Sequence, residues 1–292
     1  MQVEKATHTV ATLCRVLEVS TSGFYAWQSR PDSARTDDDR RMTSLIKAIH
    51  SGSRGTYGAP RIHAELRLEH GIATSRKRVA RLMTAAGIEG CHRRRRRGLT
   101  RPDPRAHPRP DLVERRFAAD EPNRLWVADI TYVPTRRGFT YLAAVLDVFS
   151  RKVVGYAVQD DLSATLVARA VDMAIEHRRP RCGLIFHSDR GCQFTSLTIG
   201  GRLAEAGIHA SVGSVGDCYD NAMIESFFAT LERELLGRMR FEDHTQARLQ
   251  IFSFIEGFYN PKRRHSSVGY LSPDDYERSN LESSPAPLAH VH

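Results

Sequence analysis

LWVADITYVPTRRGFTYLAAVLDVFSRKVVGYAVQ, residues 125–159, is the stretch from which the fold is read. It holds three strand-length runs rich in apolar and β-branched residues: LWVADITYV, FTYLAAVLDVFS and RKVVGYAVQ. PTRRG separates the first two, and a short turn at Ser150–Arg151 separates the others, as between consecutive strands. One residue of the first run is out of place. Asp129 stands among Val127, Ala128 and Ile130, and a carboxylate buried there is costly without a cation partner.

Beyond this stretch, Ser163 is placed to cap a helix over Ala164–His177, which Pro180 closes. GLIFH (183–187) is a short, fully apolar strand of the kind found in a sheet covered on both faces. A helix over Gln193–Ala206, ended by Gly207, leads to a fifth strand, IHASV (208–212). Helices from about Asn221 to Leu236 and over Asp243–Phe258 complete the body. The order βββαβαβα predicts a mixed α/β fold, a sheet flanked by helices in the ribonuclease-H-like arrangement.

Two more acids join Asp129. Asp189 follows the GLIFH strand in HSDRGCQF, and ligand groups in such sheets collect at strand ends. Glu225, in DNAMIESFF, falls in the first turns of a helix whose apolar stripe is Ile224, Phe227, Phe228, Leu231 and Leu235; Asp220 can cap it. Thirty-five residues lie between Asp189 and Glu225. Each acid alone has a plain explanation as a strand end, a turn former or a helix-surface charge. Together they would make an oxygen-only site suited to two Mg²⁺ or Mn²⁺ ions and not to zinc.

The N-terminal part reads as helical. Residues 8–30 suggest two short helices, the second capped by Ser20 or Thr21, in a helix-turn-helix-like pattern. Residues 31–40 are polar and break the pattern before a helix from about Arg40 to Ser51. Pro60 suits the first turn of the next helix. Ser75 caps a further one with Val79, Leu82, Met83 and Ala86 on its apolar stripe. Arg76, Lys77, Arg78 and Arg81, at its start and off that stripe, suit a helix entering a DNA groove. A solvated charged face would have the same composition.

Charge is unevenly spread. The net +9 divides into 24 Lys/Arg against 12 Asp/Glu over residues 1–116, and 19 against 22 over the rest. That asymmetry predicts a polyanion-binding arm on a separate body. Its densest part is Arg93, Arg94, Arg95, Arg96 and Arg97 followed by RPDPRAHPRPD (101–111), read as an extended basic linker along a phosphate backbone. A nuclear localisation signal would look alike. Arg263 and Arg264, with His265, form a second basic cluster that suits either DNA near the site or a solvated loop. Asp147 reads as a turn former, and His187 as a ligand-orienting or a packed strand histidine. The expected division is a helical DNA-binding region over 1–90, a linker over 91–118, a catalytic core over 119–279 and a disordered tail over 280–292. No apolar run is long enough to span a bilayer, no secretion signal is visible, and the five scattered cysteines suit a reducing compartment.

WVADITYV, HSDRGCQF and DNAMIESFFATLEREL together closely resemble the DDE transposases of bacterial insertion sequences, in the second-frame (OrfB) product of the IS-three family. YNPKRRHSSVGYLSPDDY (259–276), TYGAPRIHAEL and SRKRVARLM extend the resemblance over nearly the whole chain. It implies a metal-dependent polynucleotidyl transferase with a retroviral-integrase-like core. Asp129, Asp189 and Glu225 would be its catalytic and metal-binding residues, with Mg²⁺ or Mn²⁺ as cofactor. Such an enzyme cuts DNA at the terminal inverted repeats and joins the freed 3′-hydroxyl to target DNA. The implied partners are DNA, an upstream OrfA segment and further copies of the chain on DNA, in the bacterial cytoplasm at the nucleoid. The sequence departs from the family in two places. Glu232 stands where the family often has a DNA-contacting lysine; either the neighbouring Arg233 supplies the cation or this contact is missing. His63, His70 and Cys91 also lack the CxxC that would complete a zinc module. Competing readings are a DNA-binding regulator with an inactive core, and a ribonuclease-H-type nuclease that cuts without joining. The three acids speak against the first and the basic arm against the second.

Overall fold

The sheet is built on the stretch quoted first. β1 (Leu125–Thr135), β2 (Gly138–Asp147) and β3 (Val153–Gln159) form an antiparallel meander. Thr135 closes the β1–β2 turn: its hydroxyl accepts from the Arg137 amide at 3.2 Å and donates to the Gly138 carbonyl at 2.8 Å. Gly138 takes φ +122°, which suits glycine alone. β4 (Ile185–Ser188) pairs parallel to β1, and β5 (His209–Val212) parallel to β4, giving the order β3-β2-β1-β4-β5. The structure is a computed structural model that describes residues 7–92, 119–188, 197–212 and 222–283.

Alternation along the strands sorts side chains onto two faces. Trp126, Ala128, Ala143, Val145 and Phe186 face one apolar cluster together with α6 (Ala164–Arg178) and α7 (Leu197–Glu205). α6 lies unusually close to β3 because position 155 is glycine. A Cβ there would meet the Ala170 carbonyl oxygen at 2.2 Å. Ser163 stands at the N-cap of α6 as expected, but its hydroxyl bonds Thr165 Oγ1 (2.7 Å) and Gln159 Oε1 (3.4 Å) instead of capping an amide. Leu125, Val127, Val133, Leu142, Ala144 and Leu146 face the other cluster, under α8 (Ala222–Glu234) and α9 (His244–Phe254).

α9 gives way to a π-turn over Ile255–Tyr259, where a plain helix to Phe258 was expected. The π-turn buries Ile255, Phe258 and Tyr259 and delivers Asn260 to the start of β3. The Asn260 carboxamide accepts from Val153 N at 3.0 Å and donates to Val153 O at 2.9 Å. A last helix, α10 (Pro273–Ser283), runs past the expected end of the body at residue 279. Its Glu277 is buried against Ser150 Oγ (2.7 Å) and Arg178 Nη1 (2.7 Å), which ties the helix down. The expected tail is therefore helical at its start, and residues 284–292 lie outside the described ones.

The N-terminal region contains α1 (Val10–Val16), α2 (Thr21–Ser29), α3 (Ala34–Gly52), α4 (Ala59–Leu68) and α5 (Arg76–Ala85). Ser20 and Ser75 cap α2 and α5 as the sequence predicts. α3 begins six residues before the expected Arg40, because Ser33 accepts from Thr36 N. Asp37 in its first turn also suits the positive end of a helix. α3–α5 are not a free arm. Ile46, Ile62, Leu66 and Val79 belong to the same apolar cluster as Leu142, Ile224 and Phe254 of the body. No described helix is long and apolar enough to cross a membrane.

Candidate active site

Asp129 lies on β1, opposite Ala144 of β2. Strand alternation puts it on the same face as Val127 and Val133, the face covered by α8 and α9. It is half-buried, and its Oδ1 accepts from the Ile130 amide at 2.7 Å. β4 runs parallel to β1 with Ser188 opposite Ala128. Ser188 and Ala128 are the residues that precede Asp189 and Asp129 in the sequence. Asp189 itself lies outside the described residues.

Glu225 is in the first turn of α8 and exposed. Ile224, Phe227, Leu231 and Leu235 press the helix onto the sheet face that carries Asp129. Glu225 and Glu232, seven residues apart, share a side of the helix at 100° per residue, and both are exposed. Arg233 does not extend outward as a substitute cation. It folds back on its own helix, Nε donating to Ala229 O at 2.8 Å and Nη2 to Thr230 Oγ1 at 3.3 Å. Among the described residues no three His, Cys, Asp or Glu side chains gather as a metal site. The proposed set is thus represented by Asp129 and Glu225 alone.

The basic residues divide. Arg76 and Lys77 are exposed at the start of α5. Arg78 instead holds α5 to α3, with Nε and Nη2 on Asp39 Oδ1 at 2.8 and 2.6 Å and Nη2 also on Asp38 at 2.5 Å. Arg81 reaches Asp39 Oδ2 at 2.6 Å. These hydrogen bonds, Arg81 foremost, hold the Asp39 carboxyl below its usual pKa. Arg93–Arg97 lie outside the described residues.

Arg263 and Arg264 require a correction. They are neither a DNA-facing cluster nor a solvated loop, being 2% and 5% exposed. Arg263 grips both oxygens of buried Glu234, Nε to Oε2 at 2.8 Å and Nη2 to Oε1 at 2.7 Å. Arg264 donates Nε to Glu65 Oε2 at 2.6 Å and Nη2 to Glu69 Oε2 at 3.2 Å, both on or beside α4. A run of charges is read from sequence as solvated; here acids some 30 and 200 positions away neutralise it. Glu234 and Tyr57 are the residues that sequence reasoning missed. The one available signal was Glu234 falling on the apolar side of α8.

His187 is buried, with Nδ1 3.0 Å from Ser211 Oγ on the neighbouring strand. Asp147 forms a turn as predicted: Oδ1 accepts from Phe149 N at 3.0 Å and Oδ2 from Asn123 N at 2.8 Å. Burial pushes its carboxyl up to about 6. His63 is engaged with the Thr74 carbonyl at 3.0 Å.

Integrase core domain models match residues 119–218 and 206–273, and an HTH-like domain model matches residues 36–97. The chain is 39% identical to the transposase for insertion sequence element IS904 of Lactococcus lactis, covering 82% of this chain and 94% of that one. It is 39% identical to a 31 kDa protein of insertion element IS600 from Shigella sonnei, covering 89% and 96%. It is 35% identical to the InsF transposase of IS3A from Escherichia coli, covering 96% and 98%. Among solved structures, the catalytic core of BIV integrase aligns with TM-score 0.42 and 20% identity, over 55% of this chain and 97% of that one. With insertion-sequence relatives at this identity along almost its whole length, the chain belongs to the IS3-family transposases.

Proposed function

We propose that Asp129, Asp189 and Glu225 are the catalytic carboxylates of this transposase, and that they hold two Mg²⁺ or Mn²⁺ ions. The observation that carries the reading is the face of the sheet. α8 covers the side on which Asp129 lies and presents Glu225 in its first turn, while β4 reaches Ser188 in register with Ala128. The donors are carboxylate oxygens, which suit hard divalent cations. When bound, such ions stabilise charge on the attacking and leaving oxygens of a phosphodiester. The chain's own contribution is to fix those carboxylates on a strand and a helix packed together. The exposed Arg76 and Lys77 of α5 meet DNA phosphates, and Arg93–Arg97 continue that track. The substrates are the terminal inverted repeats and target DNA. The working assembly contains an OrfA segment and more than one copy of the chain.

The test is incubation with a labelled inverted-repeat duplex, Mg²⁺ and a target plasmid. Cleaved ends joined to plasmid are expected from the wild type and from none of Asp129→Asn, Asp189→Asn or Glu225→Gln, each of which keeps its DNA affinity. Cutting without joining would favour a nuclease. DNA binding without either would favour a regulator.

A further inference from the structure

Of the three acids on α8, Glu225 and Glu232 are exposed and Glu234 is buried, its side chain 3% exposed. Besides Arg263, Glu234 is approached by Arg61 of α4, with Nη1 3.5 Å from Oε1. Arg61 also donates Nε to the Arg264 carbonyl at 3.0 Å and lies over the Tyr57 ring at 5.7 Å. Arg263 lies over the Tyr259 ring at 5.7 Å. That ring meets Phe227 of α8 edge-on at 5.0 Å. His265 packs 4.9 Å from Tyr259 and stays neutral, since burial and then Arg263 hold its pKa well below the usual imidazole value. The junction thus sets two guanidinium charges against one carboxylate, with aromatic faces beneath both cations.

Burying the end of α8 does not require this. An apolar side chain at position 234 would bury it without the desolvation cost of an ion pair. What a two-pronged guanidinium–carboxylate contact adds is direction, because both hydrogen bonds hold only at one orientation of the helix. Glu234 is nine residues from Glu225, two and a half turns or about 13.5 Å along the axis. A change of roll or shift at one end of a short helix is carried to the other.

We infer that Glu234, Arg263 and Arg61 are positioning residues that set the roll and axial position of α8, and so of Glu225, according to how the α3–α5 bundle sits on the body. This buried contact is thereby one of the links between the DNA-binding region and the active site. The inference rests on Glu225 being a catalytic carboxylate.

The test uses the full chain with Arg61→Met, Glu234→Gln and Tyr57→Phe, beside Glu225→Gln. Hydrogen exchange of α8 amides is followed in metal-free protein, with and without a duplex carrying the terminal inverted repeat. Cleavage is followed at saturating duplex. In Arg61→Met and Glu234→Gln the N-terminal half of α8 should exchange about tenfold faster. Turnover should fall about 10- to 100-fold, with KM for the duplex within about twofold. The duplex should slow α8 exchange in the wild type and not in these variants. Wild-type exchange with unchanged turnover would overturn the inference, even if Tm fell. Lost duplex affinity with unchanged turnover would overturn it too and make Arg61 a DNA contact. Where Glu234→Gln does not fold, Tyr57→Phe, which keeps every charge, gives the same readouts at smaller amplitude. Full cleavage by Glu225→Gln would overturn the active-site assignment, while the exchange data would still decide whether the junction holds α8.

Discussion

The backbone amide of Arg264 donates to the hydroxyl of Tyr57 at 2.7 Å, across 207 residues of sequence. The same hydroxyl donates to the Lys262 carbonyl at 3.2 Å. One phenol in the helical N-terminal region thus satisfies two backbone groups of the C-terminal signature, and burial raises its pKa to about 12.

Tyr57→Phe leaves that amide and that carbonyl without partners. The expected loss is about 1–3 kcal/mol of unfolding free energy. Urea denaturation measures it. An unchanged midpoint would mean water replaces the hydroxyl.

Glu234→Ala strands the Arg263 guanidinium in the interior and should cost about 3–5 kcal/mol. Replacing both partners, Glu234→Leu with Arg263→Met, should restore most of that stability without restoring strand cleavage. If the paired replacement recovers neither, the site tolerates no apolar substitute. If it recovers both, the ion pair has no role beyond packing.

Asp147 gives a pH signature. Its folded pKa, about 6, lies above the ordinary 3.8. Between those values the unfolded chain releases the proton before the folded one does, so the folded state loses stability as pH rises through this window. Thermal melts of the wild type and Asp147→Asn from pH 3.5 to 6.5 should show the wild type falling relative to the variant. Parallel curves would contradict the shifted carboxyl.

Arg76 and Lys77 are the α5 cations left free of ion pairs with α3. Replacing both with alanine should make the slope of log K against log salt shallower by about 1–2, one phosphate contact per cation. Arg78→Ala should chiefly loosen α5 from α3, by about 1 kcal/mol or less. An unaltered slope in the first variant removes α5 from the DNA surface.

Gly155→Ala places a methyl on the Ala170 carbonyl, and α6 must retreat from β3. A loss of about 1–3 kcal/mol is expected, as for overpacked cores. Chemical denaturation reads it, and a neutral result would show that the α6–β3 spacing yields easily.

Most of the sheet was legible because its signals are local. Strand runs, the turn at residues 135–138 and the parity that puts Asp129 with Val127 and Val133 all follow from neighbouring residues. The helix caps at Ser20 and Ser75 were equally local. What stayed hidden depends on distant pairing. Arg263 and Arg264 read as a surface because Glu234, Glu65 and Glu69 are far away in sequence. For the same reason Arg78 looked like a DNA contact when Asp38 and Asp39 engage it. α3 was cut short because an acidic start looks like a loop until Ser33 is recognised as its cap. The charge split also suggested an independent arm, since net charge says nothing about which apolar faces meet.

β3 is the outermost strand of the sheet beside β2, and such a strand can recruit an unrelated chain as an additional neighbour. Asn260 forestalls this where β3 begins. Its carboxamide occupies both backbone groups of Val153, acting as a decoy strand one residue long. The π-turn that delivers Asn260 therefore also closes the sheet edge at Val153. Whatever assembles around this protein must do so without extending the sheet at Val153.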